Sequence, residues 1–473
     1  MKIRIGNLRS SQSRLQKGGA MDVTAKIAQF VISTTYEIIP PKALGNAKTA
    51  ILDCLGVALA GSQEECGKIC AQIARQEDAK EEATVFGQGF KSSALQAAFV
   101  NGTAAHAMDF DHSFTLMGQP TAPIIPAIFA LGESLGASGR QILEAYVAAF
   151  ETTTKLVFAV RGSTQDGWHA PGTLGSFGAA AGCAKLLRLD SSQVEMALGI
   201  TASMAGGVVC NFGTMSKPLH VGLGARNGVL AAKLAQSGYT ANTRAIEAGN
   251  GFCETFYRMS PRDGPLGELG KSYALVTDGI RIKPYPCGGL THQPIDAVLD
   301  FRAKHGLTAE MVESIDVDVT QHTYNRIAFR VPQTGIQGKF CMGYLLARAI
   351  IDGKVSLDMF TDSAVRDSNV LKLAERIHMK LDNGLKASNE GSRPCRVTVR
   401  LKDGRTYSRE VQHAKGSPEV PMAADELTAK FTECASQVLD ENSTRRALET
   451  IKSLEMLEDI RPLCQVLMGS HPG

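Results

Sequence analysis

The residues of this chain that are best suited to chemistry are concentrated in one stretch, NGTAAHAMDFDHSFTLMGQ, at positions 101–119. The stretch opens on small residues at helical spacing and then changes character, with Asp109, Asp111 and His112 inside four positions and Ser113 beside them. Two carboxylates, an imidazole and a hydroxyl at the end of an apolar helix are costly unless they are used. The alternative interpretation is an ordinary helix terminus with a solvated turn, since acid-rich turns are common.

Three further stretches combine cationic or titratable side chains with glycine and proline. They are GWHAPGT at 167–173, NFGTMSKPLH at 211–220 and KPYPCGGLTH at 283–292. His169 stands before a glycine-rich helix start, and helix N-termini favour anions such as carboxylates. Lys217 and His220 lie around a proline in an apolar neighbourhood, where a lysine is functional more often than a lone surface lysine is. Each stretch alone has an ordinary structural interpretation. Together, the acidic stretch 101–119 and the three cationic stretches are suited to a binding site for a small polycarboxylate.

Several familiar nucleotide-binding and hydrolase motifs are incomplete or missing. The stretch GPLGELGKS at 264–272 resembles a phosphate loop, but the first required glycine would fall at Pro265 and no apolar strand precedes it. The glycines at 222–228 have the wrong last spacing for a dinucleotide-binding turn. No GxSxG elbow or HExxH pair occurs, which argues against a serine hydrolase and against a zinc protease.

The composition argues against several classes of partner. The net charge is only +3, from 50 basic and 47 acidic residues, and basic runs interleaved with aromatics are missing, so we expect no nucleic-acid binding. We expect no apolar run long enough to span a bilayer. The 11 cysteines are scattered without a CxxC pair, which predicts reduced thiols in an intracellular protein and argues against a zinc site.

The apolar periodicity predicts a helical chain as far as about residue 265. Helices are expected at 43–61, 91–108, 124–135, 139–158, 175–187, 191–204, 222–238 and 243–248. Strands are expected at 280–283 and 315–319, a helix at 294–305, a hairpin at 396–411 with a two-residue turn at Asp403-Gly404, and further helices at 425–434 and 443–457.

The sequence therefore predicts a mainly α fold. A large all-helical domain is formed by residues 21–271 and 418–465, and a smaller α+β domain, residues 272–417, is inserted as a lid. Residues 1–20 contain basic but no acidic side chains and are interpreted as a disordered extension, with a mitochondrial transit segment as the alternative. The predicted location is cytoplasmic, or mitochondrial under that alternative.

Four blocks of the sequence together resemble the MmgE/PrpD family. They are AAFVNGTAAHAMDFD, GWHAPGTLG, TMSKPLHVGLGARNG and KPYPCGGLTH. The family includes 2-methylcitrate dehydratase, cis-aconitate decarboxylase and iminodisuccinate epimerase, and the resemblance runs from about Met21 to Leu457. It implies a helical domain with an α+β lid, usually as a homodimer, with no metal or organic cofactor in the decarboxylase and epimerase branches.

The resemblance also implies which residues form the active site. Carried over position by position, these are Asp109, Ser113, His169, Lys217, Lys283 and His292, and the family's tyrosine near the end of the second lid strand is assigned to Tyr324. Gln119 is a departure, because the family carries histidine there and glutamine cannot transfer a proton near neutral pH. His112 stands where the family generally has aspartate, and one hypothesis is that it takes over this proton transfer. His112→Ala should then abolish turnover, whereas Gln119→Ala should only weaken it.

The predicted chemistry creates or quenches carbanion character beside a carboxylate, so that negative charge accumulates on oxygens already charged. Fixed cations lower that barrier, and this role is assigned to Lys217, Lys283 and His169. Proton transfer is assigned to Asp109, assisted by Tyr324 or His112. The remaining predicted catalytic residue is Ser113, and the predicted substrate-binding residues are Gln119, His220, Lys283 and His292.

We therefore predict a cofactor-independent lyase of a small di- or tricarboxylic acid. Dehydration of a 2-methylcitrate-like substrate is placed ahead of decarboxylation of cis-aconitate. The reason is that Gln119 stands where the decarboxylase-like set of active-site residues has a histidine. Two alternatives stay open, an epimerase or isomerase of a related polycarboxylate and a catalytically inactive relative that binds carboxylates or acts as an interaction scaffold. The expected partners are the substrate and a second copy in a homodimer, without a metal, nucleic acid or membrane.

Overall fold

The computed structural model describes residues 22–114, 116–160, 167–327, 329–388 and 392–469. The predictions made for residues 1–20 lie outside these ranges. Within the ranges helices dominate and the strands form two small sheets, which confirms the predicted mainly α fold class.

The first part of the chain forms closely packed helices. Their bounds are Val23–Ser33 (α1), Pro41–Gly61 (α2), Glu65–Gln76 (α3), Ala94–Ala107 (α4), Thr121–Leu135 (α5), Gly139–Val160 (α6), Ala170–Leu186 (α7), Ser191–Met204 (α8), Ser216–Gln236 (α9), Phe252–Tyr257 (α10), Asp263–Gly267 (α11) and Ala274–Thr277 (α12). Strands Ala83–Val85 (β1) and Phe90–Ser92 (β2) pair antiparallel between α3 and α4.

Small residues allow α4, α7 and α9 to approach one another closely. A Cβ atom at Gly102 of α4 would lie 2.9 Å from the Cα of Gly222 in α9, and one at Gly228 would lie 2.4 Å from the Cβ of Ala179 in α7. Both distances are shorter than van der Waals contact, so only glycine fits without a shift of the backbone. Helices α4, α7 and α9, which carry residues of the candidate site, are therefore in direct contact at these glycines.

The smaller unit is built around a four-stranded sheet. Its helices are His292–His305 (α13), Gln321–Arg326 (α14), Gly335–Gly338 (α15), Met342–Asp352 (α16) and Ser368–Ala374 (α17), and its strands are Val312–Val319 (β3), Ile377–Leu381 (β4), Cys395–Leu401 (β5) and Thr406–Val411 (β6). The strand order is β4-β3-β5-β6, with β3 parallel to β4 and the other pairs antiparallel. Ile315, Val317 and Val319 are buried on alternate positions of β3, which confirms the strand predicted from period two.

The last helices return to the larger unit. They are Ala424–Ala435 (α18), Glu441–Lys452 (α19) and Arg461–Leu467 (α20), and α18 and α19 pack on α2. Short 3₁₀ helices lie at Tyr36–Ile38, Val209–Asn211, Gly289–Thr291, Leu357–Phe360, Ala364–Arg366 and Leu454–Met456.

Most buried apolar residues of the described chain form two large hydrophobic cores, and a small third cluster includes Met108 and Phe110. One core extends from Val23 to Ile282 and takes in Phe431 to Leu467, so the two ends of the chain share it. The other extends from Tyr285 to Val411. The exact domain boundaries at 271/272 and 417/418 stay a prediction.

Three local predictions are wrong. Residues 243–248 form turns instead of a helix, because the backbone N–H of Arg244 donates to the side chain of Asn242 and so favours a local turn. Instead of a strand at 280–283, only Arg281 forms an isolated antiparallel bridge, with Ser113. The predicted hairpin is confirmed, but Leu401 and Arg405 flank a three-residue loop in which Gly404, at φ +87°, is the residue with left-handed backbone.

The expectation that no apolar run could span a bilayer is also wrong by length and composition. Among the described residues, α2 meets both criteria, with 21 residues and a mean hydropathy of 1.3 in its most apolar window. However, 72% of its most apolar window is buried inside the protein, where α4, α5, α6 and α18 pack against it. A core helix passes the same test, so this finding is weak support for a membrane span.

Candidate active site

The candidate site is organised around Asp109, which follows the last turn of α4 and has a left-handed backbone with φ +54°. Its carboxylate accepts a hydrogen bond from Lys217 at 2.9 Å and lies 3.1 Å from the Nζ of Lys283. Burial alone would raise the pKa of Asp109, but Lys217, Lys283 and His106 together hold it well below its ordinary value. Asp109 is therefore an anion that orients two ammonium groups.

Three lysines from distant segments bind the backbone of this turn. Each donates a hydrogen bond to one of three consecutive carbonyl groups: Lys339 to Met108 at 3.1 Å, Lys283 to Asp109, and Lys430 to Phe110 at 2.9 Å. The lysines come respectively from the residue after α15, the start of the smaller unit and α18. Because charged donors form strong hydrogen bonds, this arrangement fixes a turn whose left-handed residue would otherwise be unfavourable.

Helices α7 and α9 each begin earlier than predicted, and the extra turns carry functional side chains. Pro171 and Pro218 lie in these first turns, where a missing N–H group leaves no helical hydrogen bond unmade. As a result, His169 is the N-cap residue of α7 and Lys217 lies in the first turn of α9.

Three imidazoles from separate helices lie side by side next to Asp109. The ring centroids of His106 and His169 are 5.4 Å apart, as are those of His169 and His220, and the Nδ1 atoms of the second pair are 3.3 Å apart. Burial first, and then the neighbouring imidazoles and Lys217, lower the pKa values of His169 and His220. Both rings are therefore neutral near pH 7, and each can donate one hydrogen bond.

Lys283 and His292 bring the smaller unit to the site. Lys283 is 6% exposed and His292 is 3% exposed. The Nε2 of His292 lies 3.4 Å from the carbonyl oxygen of Cys287, and its ring meets the Tyr285 ring edge to face at 5.3 Å. Burial, reinforced by the positive charge of Lys283, lowers the pKa of His292 to about 3.

The structure places His112 in a separate buried network. Its backbone N–H donates to Asp53 at 2.9 Å, and its Nε2 lies 2.9 Å from the hydroxyl of Thr121, which lies 2.7 Å from the hydroxyl of Tyr146. Burial would raise the pKa of Asp53, but Lys430 and His112 lower it below its ordinary value. The imidazole of His112 is thus held by helices α2 and α5.

Among the described residues, three other predicted site residues make no hydrogen bond to the cluster around Asp109. Ser113 pairs through its backbone with Arg281 in two hydrogen bonds of 2.9 Å. Gln119 is half-buried just before α5, and Tyr324 lies on α14 with 36% of its surface exposed. Their roles stay predictions.

Four residues of the site region were not assigned roles from the sequence: His106, Asp111, Lys339 and Lys430. His106 lies on α4 within the stretch 101–119 that the sequence had already singled out, so its type and position were a usable signal. Lys339 and Lys430 are single lysines in unremarkable segments. Their partners are 231 and 320 residues away, so nothing local identifies them.

One group of side chains has the donor types of a metal site. Ligand atoms of His106, Asp109 and Asp111 all lie within 4.8 Å of one another. However, the Asp109 carboxylate is already paired with the ammonium groups of Lys217 and Lys283, whose charge opposes a divalent cation at the same oxygens. The cluster fits an anionic ligand better than a metal ion.

The arrangement can stabilise negative charge on a small carboxylate. Lys217, Lys283 and Lys339 each carry three N–H donors, of which the described contacts use only part. Burial lowers the pKa of Lys339, the charges of Glu64 and Asp109 oppose this shift, and the charge of Lys283 adds a smaller lowering. Converging ammonium groups next to neutral imidazoles are suited to a substrate with more than one carboxylate.

The chain was compared with known protein families and with curated proteins. The MmgE/PrpD N-terminal domain matches residues 25–263, and the MmgE/PrpD C-terminal domain matches residues 285–456. A cis-aconitate decarboxylase of Mus musculus is 27% identical over 461 residues, which cover 94% of this chain and 93% of the relative. One of Homo sapiens is 28% identical and covers 95% of each chain. One of Aspergillus terreus is 27% identical and covers 94% of this chain and 96% of the relative.

Proposed function

The chain belongs to the MmgE/PrpD family, as the four sequence blocks had indicated, and from this we propose that it is a lyase that decarboxylates cis-aconitate. The observation that carries the proposal is the end-to-end similarity to relatives named cis-aconitate decarboxylase, which are covered over 93–96% of their length. The cluster of ammonium groups around Asp109 supports a substrate with several carboxylates. The order of preference drawn from the sequence is therefore reversed in favour of decarboxylation.

In the proposed reaction, the bond between one carboxylate and the carbon skeleton breaks and carbon dioxide leaves. The electron pair of that bond remains on the carbon skeleton and is delocalised towards a neighbouring carboxylate, and a proton then quenches it. Lys217 and Lys283 stabilise the developing charge, since fixed cations aimed at such oxygens need no reorganisation. Lys339, which donates to the carbonyl of Met108 next to Asp109, is a third cation for the same substrate.

Asp109 has a different role in this proposal from the proton transfer first predicted for it. A carboxylate whose pKa is held well below its ordinary value is a weak base near neutral pH. Asp109 instead positions the two lysine ammonium groups at 2.9 and 3.1 Å from its oxygens. The proton must then come from another group.

Dehydration of an alkylcitrate is the second candidate, and Gln119 favours it. Glutamine can bind a carboxylate but cannot replace the proton-transferring histidine of the decarboxylase-like set. Both reactions are compatible with the same cluster of cations. The choice between them has to be made on products.

A single NMR experiment tests the proposal. The protein is incubated in heavy water with cis-aconitate and, separately, with 2-methylcitrate. We expect cis-aconitate to lose carbon dioxide and to give a dicarboxylate that carries one carbon-bound deuterium. Olefin formation from 2-methylcitrate alone would identify a dehydratase. Inversion without loss of mass would identify an epimerase, and a thermal shift without any turnover would identify an inactive carboxylate binder. Lys217→Gln is the matched inactive control.

We also propose that the protein needs no cofactor, forms a homodimer and is cytoplasmic. These three parts of the proposal rest on the family resemblance and on the composition. Activity after dialysis against EDTA and charcoal treatment should stay within about twofold of the starting value if no metal or organic group is needed. Light scattering on the purified protein should give twice the mass of the 50.4 kDa chain.

A further inference from the structure

His106 and Asp111 form a buried pair beside the cation cluster. His106 lies in the last turn of α4 and is 1% exposed, and Asp111 is 2% exposed. The Nδ1 of His106 lies 2.9 and 3.1 Å from the two carboxylate oxygens of Asp111. A carboxylate can only accept, so the Nδ1 atom carries the proton and the imidazole is held in one tautomer.

The other nitrogen of this imidazole is left without a partner. The Nε2 of His106 is fully buried and makes no hydrogen bond with any residue that the structure describes. Buried polar atoms are rarely left unpaired, and each exception calls for an explanation such as a catalytic role. Because Asp111 holds the Nδ1 side, Nε2 is the atom of His106 that can take or give a proton.

The surroundings of His106 are those of the candidate site. One of its ring nitrogens lies within 4.8 Å of a carboxylate oxygen of Asp109, and its ring lies 5.4 Å from that of His169. Asp109 in turn holds Lys217 and Lys283. The unpaired nitrogen thus belongs to a ring in contact with the groups that would bind the substrate's carboxylates.

His112, the other histidine considered for proton transfer, also has a buried ring nitrogen, Nδ1, without a hydrogen bond among the described residues. That nitrogen lies 3.5 Å from a carboxylate oxygen of Asp53, and the Nε2 of His112 lies 2.9 Å from the hydroxyl of Thr121. These partners belong to α5 and α2 and serve to fix the chain after Asp109. Both histidines are buried, but of the two only His106 combines a fixed tautomer with contact to the cation cluster.

We propose that His106 is the catalytic proton-transfer residue of this site and that Asp111 is a positioning residue that acts through it. This rests on the proposed lyase function and names the group that supplies its proton. After carbon dioxide has left, the proton on Nε2 passes to the carbon that holds the electron pair, and a new carbon–hydrogen bond forms. The imidazole is left neutral with its proton on Nδ1, and a proton from water restores Nε2–H for the next turnover.

The variant His106→Asn tests the role of Nε2 alone. The asparagine amide can reproduce the Nδ1–H group that faces Asp111, whereas nothing replaces Nε2. We expect kcat to fall about 10²–10⁴-fold, while the dissociation constant for cis-aconitate and the Tm change little. Added imidazole should restore part of kcat. His378→Asn, at an exposed position on β4, is the matched control and should behave as wild type.

The variant Asp111→Asn tests positioning. An amide can donate to Nδ1 and so favours the other tautomer, and we expect kcat to fall at least tenfold with little change in binding. In the double variant with His106→Asn, the Asp111 substitution should cost no further kcat, because it acts only through the imidazole. A further loss in the double variant would show that Asp111 does not act only through His106 and would refute its role as a positioning residue for that imidazole.

The kinetics of these variants distinguish a failure of the His106 assignment from a failure of the proposed lyase function. If wild type decarboxylates cis-aconitate and His106→Asn keeps kcat within fivefold, His106 is not the proton donor. An equal or larger loss of kcat in His112→Asn, without a loss of binding, would move the role to His112. If wild type dehydrates 2-methylcitrate instead, the same variants are compared on that reaction. A wild type that moves no proton in either substrate would refute both proposals.

Discussion

Replacing Lys430 by methionine should destabilise the protein and loosen the Asp109 turn at the same time. The Nζ of Lys430 pairs with the buried carboxylate of Asp53, donates to the carbonyl of Phe110 at 2.9 Å and lies 3.9 Å from the centroid of the Phe110 ring. Methionine fills a similar volume but leaves Asp53 without its cation. The backbone N–H of His112, 2.9 Å away, still satisfies one of its oxygens.

The expected magnitude follows from these contacts. Breaking a buried ion pair from one side costs about 3–5 kcal/mol, and leaving a buried carbonyl unpaired costs about 1–3 kcal/mol. The two losses share one ammonium group and His112 still binds Asp53, so the net loss should be near the lower figure, about 3 kcal/mol. At a few degrees per kcal/mol, the Tm should fall by roughly 5 °C or more.

The effect of pH follows from the direction of the Asp53 shift. In wild type the pKa of Asp53 is lowered, so its contribution to stability is present above its unfolded value and is lost as pH falls through the folded value. Without Lys430, burial becomes the dominant influence and raises the pKa of Asp53. The difference in Tm between wild type and variant should therefore be largest near pH 7 and shrink as pH falls towards 4.

The assay is differential scanning fluorimetry at several pH values together with steady-state kinetics. The double variant Asp53→Asn/Lys430→Met should recover part of the lost Tm, because it removes the unpaired charge. Lys354→Met, at an exposed position, is the matched control. A Lys430→Met protein with wild-type Tm, or a double variant less stable than the sum of the single ones, would refute this reasoning.

Three further predictions follow from the site and the helix packing. Gly228→Ala should lower the free energy of unfolding by about 1–3 kcal/mol, because the new Cβ would lie 2.4 Å from the Cβ of Ala179. The control Gly45→Ala, whose new Cβ would have nothing within 4 Å, should raise the free energy of unfolding by up to about 1 kcal/mol. Equal Tm values for the two variants would contradict the close packing of α7 and α9. His292→Gln should make the fall in Tm between pH 6.5 and 5 less steep. In the folded wild type the pKa of His292 is lowered to about 3, so the wild type loses stability over this range as the unfolded chain binds a proton on His292 that the folded chain does not. An unchanged slope would show that this histidine does not titrate on unfolding. Lys339→Gln should raise KM for cis-aconitate about tenfold with a smaller change in kcat, and an unchanged KM would remove Lys339 from the substrate site.

Local patterns predicted the helices and the cationic segments well. Apolar residues at helical spacing located α2, α6 and α8 to within a few residues, because periodicity depends only on near neighbours. The structure also brings Lys217 and Lys283 to the same carboxylate, as the pairing of acidic and cationic stretches had suggested.

The contacts that complete the site could not be predicted from one sequence. Lys430 lies 377 residues from Asp53, and a lone lysine in an amphipathic helix is ordinarily a surface residue. The early starts of α7 and α9, at Ala170 and Ser216, were not predicted, although proline is tolerated in the first turn of a helix. His112 attracted attention by type and position, whereas its burial against α5 depends on tertiary structure.

The hydrogen bond from Lys430 to Phe110 has a consequence for the order of synthesis. The two residues are 320 positions apart, so a ribosome releases the Asp109 turn long before it makes the lysine that completes the turn. Domains generally fold from the N-terminus as they emerge, but the larger unit needs α18 to close its core. The nascent chain therefore lacks this hydrogen bond to the turn until residue 430 has been synthesised.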